Sequence, residues 1–399
     1  MKLFNRLYNT TNKGETALGV LVSLIWIQNP ILSFVRGYCL SLPVIGQYAD
    51  YVSPFLMLFP FLYALPFIMK KIRGFDVLFV VGFAFAYTLT YLLFPQNAPS
   101  LNTNAFNFLC ILLPVYLVGR LFDIEKVFKV FYLLSVLSIV LQFYYAFSYK
   151  ISESTMGDQM VAAYSVLPHV LLVYIKMIKQ FKIWDVLILL LGVFEILSFG
   201  TRGPLLCLCI FIVLYHVDLQ NIRGPKTWLF IGALGAFAAF YDTILRKLME
   251  LLENIPGASI RIFVKLQESE YMVDNHRNQI RDALYRALDE HPFGMGLFGD
   301  RAVLGEDSYA HNLFVEILVD YGYILGVAFS ALLIFFTIRA YYKSREMSHF
   351  FVVLLICSAM INLLLSGSYL ISIHFFLMLG FVSQLNHNAN NKIKKSIRS

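Results

Sequence analysis

Apolar runs free of charge recur along nearly the whole chain, each about as long as the 17 to 25 residues that a helix needs to cross a bilayer. Residues 16–35 and 51–69 each fit one such helix. The run 77–119 is too long for one, and Pro95, Asn97, Pro99, Asn102 and Asn104 divide it in two; Ser366, Gly367 and Ser368 likewise divide 347–391. Carried through the sequence, this pattern predicts an all-α, polytopic membrane protein of about 12 transmembrane helices. Their centres lie near residues 26, 60, 85, 112, 138, 168, 191, 210, 234, 331, 356 and 376.

One stretch breaks the pattern. From 242 to 310 the composition is that of an ordinary water-facing segment, with twelve acidic and eight basic residues, and a loop of that length between spans is usually functional. The chain therefore divides into spans 1–9 (residues 1–241), a large extracytoplasmic loop (242–310), and spans 10–12 with a tail (311–399). Within the loop, Ile280, Leu284 and Leu288 repeat every four residues and Pro292 follows, which predicts an amphipathic helix over 278–290. Arg277 and Arg281 lie one above the other at its start, and Arg286 falls on the opposite side. Solvation alone accounts for most exposed arginines. The spacing Gly294, Gly296, Gly299 matches a dinucleotide-binding fingerprint in letters only, because it follows a helix and not a strand; it reads as a tight turn.

Composition agrees with the pattern: 59% of the 399 residues are hydrophobic and 14% charged, against roughly a quarter charged in soluble domains. The positive charges fix an orientation, since Lys and Arg beside spans stay on the cytoplasmic side. Lys2, Arg6 and Lys13, then Lys70, Lys71 and Arg73, then Arg120, Lys126 and Lys129 begin an alternation that ends at Lys392, Lys394, Lys395 and Arg398 and takes in 21 of the 32 basic residues. Both termini are expected in the cytoplasm. The net charge of +7 then reflects topology, and nucleic acid is not expected as a partner. Of five cysteines, four (Cys110, Cys207, Cys209, Cys357) fall in apolar runs and Cys39 lies outside them, so neither a disulfide framework nor a zinc site is expected.

Candidate chemistry sits at the predicted outer ends. Arg202, in Gly200-Thr201-Arg202-Gly203-Pro204, precedes a span whose first turn carries the proline, and an arginine beside a helix N-terminus can hold an anion. Snorkelling to the interface is the equal alternative. His311 precedes the tenth span, where the helix dipole disfavours an imidazolium and leaves a neutral ring able to take a proton; most lone histidines are structural. His169 and His374, inside spans, read as interhelical hydrogen-bond partners. Glu195, Glu316 and Asp320 lie in apolar runs with no role assigned. No nucleophilic serine with its base, metal-binding histidine pair or phosphate-binding lysine loop is present. Arginines with a histidine suit a transfer without a metal or cofactor, in which guanidiniums hold a phosphate leaving group and imidazole deprotonates a hydroxyl.

Three blocks carry a resemblance: 198–205 (SFGTRGPL); 277–296, where Arg277 is followed by His291-Pro292 and a Gly-x-Gly turn; and 309–326 (YAHNLFVEILVDYGYILG). In kind, order and predicted side they resemble the O-antigen ligase and polymerase superfamily, membrane glycosyltransferases that use undecaprenyl-diphosphate-linked sugars. The resemblance implies that Arg202 and Arg277 bind the donor diphosphate and that His311 is the base or orients the acceptor. Arg281 joins them from helix geometry alone, where relatives often carry an aromatic residue. It further implies a metal-independent, inverting enzyme of the bacterial inner membrane, facing the periplasm, with a lipid-linked glycan as donor and acceptor and with a chain-length regulator and a flippase as associated proteins. The Thr-Arg-Gly-Pro and Tyr-Ala-His-Asn motifs are closer to polysaccharide polymerases than to ligases that pass the glycan to the lipid A core. A lipid-linked oligosaccharide transporter is the alternative of another class, though such carriers tend to show internal repeats and a midplane site, and no repeat is visible here.

Overall fold

An apolar segment satisfies its backbone groups without water only by closing hydrogen bonds within itself, and helices are the outcome here. The computed structural model describes residues 13–40, 49–148, 156–199, 202–216, 247, 250, 277–306 and 308–398, with side chains for 13–27, 58–144, 160–199, 203–216, 247, 250, 277–306 and 308–387. Among them no strand occurs. The helices are α1 (Lys13–Leu40), α2 (Ala49–Lys71), α3 (Gly74–Leu93), α4 (Pro95–Leu121), α5 (Ile124–Ser148), α6 (Met156–Lys179), α7 (Ile183–Ser198), α8 (Arg202–His216), α9 (Arg277–Glu290), α10 (Gly299–Leu304), α11 (Leu313–Lys343), α12 (Glu346–Leu365) and α13 (Ile373–Arg398). Six of them are long and apolar enough to cross a membrane. The expected centres all fall within these helices except the one near 234, which lies outside the described residues, as does 251–276 of the loop.

The expected break in 77–119 is present, but only at Phe94 and Pro95. Pro99 sits in the first turn of a helical segment, where its missing N–H is harmless, and Asn102 and Asn104 lie within α4, whose Asn104 Nδ2 donates back to the Ser100 carbonyl at 2.8 Å. A π turn at Phe108–Leu112 follows. The break between α12 and α13 falls at Ser366 to Ser372, as expected.

Two units make up the chain. The first comprises 1–26, 51–130 and 274–399. Its centre is the pairing of α4 with α13, where a side chain at Gly119 would stand 2.6 Å from the Leu377 carbonyl oxygen and one at Gly380 would collide with that of Tyr116. Small residues at such a crossing bring backbones together, which is how helices associate where no hydrophobic drive separates protein from lipid. At the basic end of α4, Arg120 Nε pairs with Asp76 Oδ1 at 3.1 Å, Tyr116 Oη donates to the same oxygen, and Asp76 Oδ2 caps the backbone N–H of Arg73. In contrast, Phe75, Leu78, Phe85 and Leu92 of α3 are exposed, a face that is stable only against an apolar surrounding.

The second unit comprises 27–50 and 131–273. Here α6 packs on α7 and α8. His169 Nδ1 meets Ser135 Oγ at 3.2 Å, an interhelical bond between α6 and α5 as expected for that residue. His374, in the first unit, instead sets its ring edge-on to Trp26.

Candidate functional site

The amphipathic helix predicted over 278–290 forms as α9, and its Leu284 and Leu288 are fully buried. Leu284 joins Met295, Ala310, Val315 and Val319 in a small core, with Ile280 and Ala287 packed against it, that holds α9 against the start of α11. Between these helices the chain doubles back twice. Gly294 and Gly296 take positive φ of 93° and 76°, a region open to glycine at little strain. Met295 N–H donates to the Val319 carbonyl at 2.8 Å and Gly296 N–H to that of Asp320 at 3.0 Å. The glycine spacing that resembles a nucleotide fingerprint is thus a backbone clamp on α11.

A second clamp comes from the distant end of α3 and start of α4. Asn97, buried, donates through Nδ2 to the carbonyls of Met295 and Leu297 at 2.8 and 3.0 Å, and Thr90 Oγ1 accepts from Leu297 N–H at 3.1 Å. A third involves the buried carboxylates. Asp320 Oδ1 accepts from Gly299 N–H at 3.2 Å and its Oδ2 from Tyr369 Oη at 2.6 Å. Glu316 accepts from Tyr369 N–H at 3.1 Å and from the Ser368 hydroxyl. Asp300 Oδ2 accepts from Ala310 N–H at 2.9 Å. Burial pushes the Asp300 carboxyl up, while the Ala310 N–H and the Arg301 guanidinium draw it down. Glu316 and Asp320, without a role in the sequence, are therefore the struts that tie α11 to the turn before α10 and to the break before α13. Among the described residues no three His, Cys, Asp or Glu are grouped so as to hold a metal ion.

These clamps surround His311. Its backbone takes a left-handed φ of 51°, unusual for a residue with a Cβ. The strain is held from both sides: Asp300 fixes the preceding Ala310, and Asn312 caps α11 by accepting from Phe314 and Val315 N–H at 3.0 and 3.3 Å. The Tyr309 ring stands 3.9 Å from the imidazole centroid, and its hydroxyl meets Ser366 Oγ at 3.1 Å. Burial, and then the nearby Arg277 guanidinium, lower the His311 pKa to about 4. The ring is neutral near pH 7, as expected, but burial and a charge do what the helix dipole was expected to do. Its Nδ1 is buried with no hydrogen-bond partner among the described residues.

Of the four residues singled out from sequence, Arg277 and His311, 34 positions apart, fall within electrostatic reach of one another. Arg281 is exposed one turn along α9 and donates to Asn278 Oδ1. Arg202 opens α8 in the other unit, with its side chain outside the described residues. The neighbouring Gly203 has no room for a Cβ, because the Tyr164 hydroxyl fills that position. Sequence reasoning missed Asn97, Thr90, Asp300 and Tyr369. Nothing local marks the first two, whereas a buried-type tyrosine after a Ser-Gly-Ser break and an aspartate following three glycines could have been flagged.

No curated protein and no solved structure matches the chain. Residues 186–330 match the family model described as O-Antigen ligase, a stretch that holds Arg202, α9, the clamped turns and His311. Over that stretch the chain is similar to the O-antigen ligase family, which supports a place in the O-antigen ligase and polymerase superfamily of membrane glycosyltransferase-like enzymes.

Proposed function

We propose that the protein is a glycosyltransferase of the bacterial inner membrane that polymerises undecaprenyl-diphosphate-linked repeat units into O-antigen or capsular polysaccharide, without a metal and with inversion at the donor anomeric carbon. The observation that carries this reading is the juxtaposition of a neutral, strained His311 with Arg277. In the proposed reaction a sugar hydroxyl of the acceptor attacks the donor anomeric carbon. The bond from that carbon to the phosphate oxygen breaks and the diphosphate leaves, held by Arg277 and Arg281, while the His311 imidazole receives the hydroxyl proton. Each guanidinium contributes charge-assisted bonds of roughly 1.5 to 3 kcal/mol.

A ring with a pKa of about 4 is a weak base on its own. Burial is the larger cause of that depression and Arg277 the smaller; an anionic donor at Arg277 offsets the second, so the ring gains basicity when the substrate is bound. In this reading the lipid-linked glycan enters from the outer leaflet, on the side opposite the basic loops and both termini. A chain-length regulator and a flippase are the associated proteins expected of such a system.

The printed description of the matching family favours a second reading, a ligase that moves finished glycan to the lipid A core. Both use the same site chemistry. The surface glycan of a strain lacking this gene, resolved on a gel beside its undecaprenyl-linked pool, separates them. Core bearing a single repeat unit is the result expected of a polymerase. Bare core with long glycan stranded on undecaprenyl diphosphate identifies a ligase, and an unchanged pattern overturns both in favour of a transporter.

A further inference from the structure

Phe293 is the most exposed large apolar side chain among the described residues, at 84%, in a turn between a polar helix and a buried glycine. Nothing in a water-facing loop asks for this. Its position is rigid. The Pro292 carbonyl accepts from Tyr323 N–H at 3.0 Å, a side chain at Gly322 would collide with the Phe293 carbonyl carbon, and one at Gly294 would stand 2.5 Å from Gly322 N. Tyr323 Oη in turn donates to Asp289 Oδ1 at 2.6 Å, joining the end of α9 to the same point.

That point is where α11 becomes a membrane helix. Gly322 takes a φ of 76° and interrupts it; beyond the interruption Ile324 and Leu325 are 73% and 64% exposed, and the outward apolar face continues through Leu332 and Phe335. From Tyr323 to Lys343 a helix rises about 30 Å, the thickness of a hydrocarbon core. A tyrosine at one end and a lysine at the other are the residues that mark the two interfaces. Phe293 is fastened by backbone contacts beside the tyrosine, where the exposed apolar residues of the span begin.

We infer that Phe293 is an interfacial anchor that inserts into the outer leaflet beside Tyr323 and holds α9 at the depth of the lipid headgroups. The occupant of this surface is lipid, because backbone contacts fasten the exposed aromatic residue at the point where the exposed apolar residues Ile324 and Leu325 of the membrane helix begin. On the reading of the site proposed above, the anchor sets Arg277 at the depth at which the diphosphate of a lipid-linked donor lies.

The test places the photoreactive p-benzoylphenylalanine at 293 in full-length protein in phospholipid nanodiscs, with the same group at Leu332 as the lipid-facing standard. Ultraviolet irradiation is followed by mass spectrometry of the peptides. A phospholipid adduct at 293 in yield like that at 332 is the expected result. An adduct at 332 with only intramolecular products or none at 293 overturns the anchor. Because no transfer reaction is read, the anchor can fail while the glycosyltransferase reading stands, and the reverse. Phe293→Asp extends the test to thermal stability: it is expected to shift the melting temperature in nanodiscs downward and Phe293→Trp to leave it unchanged, whereas equal behaviour of the two overturns the anchor.

Discussion

At the scale of the residue, His311 carries a prediction in pH. Its folded pKa of about 4 lies below the ordinary 6.5, so the unfolded chain takes up the proton first. Stability should fall as pH drops from about 6.5 towards 4 and level off below, and His311→Gln should flatten that part of the curve. In transfer assays the acid limb of kcat/KM reports the free enzyme and that of kcat the substrate complex. The first is expected near 4 and the second higher, since bound diphosphate offsets Arg277. Arg277→Gln should move the first limb upward towards 6.5; an unmoved limb would dismiss the electrostatic link. Turnover of His311→Ala is expected to drop about 10²- to 10⁴-fold. Both residues were singled out in the sequence, His311 beside the start of an apolar run and Arg277 at the start of the amphipathic helix, within the blocks that carry the resemblance. Asn97 was visible too, but only as a helix breaker: its partners stand 198 and 200 positions away, and no local pattern encodes a contact of that range.

At the scale of the element, the clearest local signals became α9 and the glycine turn. The period of Ile280, Leu284 and Leu288 places one face against α11, and a tight turn was the proper reading of Gly294 and Gly296. The interruption of α11 was hidden, since 313–343 reads as one apolar run around Gly322 and only the backbone shows the change of direction. Here a Cβ would both meet the Pro292 and Phe293 backbone and occupy a φ of 76°. Gly322→Ala should therefore destabilise by about 1 to 3 kcal/mol and loosen the turn that carries Phe293. Amide exchange at Met295 and Gly296, whose N–H groups are tied to α11, is the measurement; unchanged protection in the variant would show that the interruption is not what secures the turn.

At the scale of the whole molecule, the basic loops gave an expected orientation and the apolar runs a membrane class, which six helices among the described residues support by being long and apolar enough to cross a bilayer. What they could not convey is that a segment near the first third of the chain completes the site near its end. Asn97→Ala leaves two buried carbonyls without their donor, for which about 1 to 3 kcal/mol is the expected loss. If the donor were dispensable, the variant would melt with the parent protein and transfer glycan at the same rate. Asn97→Ser, which keeps a donor but shortens its reach, should fall between.

Those same two bonds also govern when the site can come into being. Contacts between residues some two hundred apart form late in a growing chain, for their second partner leaves the ribosome long after the first has entered the bilayer. Residues 74–121 must therefore wait in the membrane with Asn97 unmet until 291–299 emerges. A chain halted before that moment holds the earlier apolar segments and their basic loops but neither Phe293 nor the site, so a prematurely terminated product is an occupant of the membrane and never a partial enzyme.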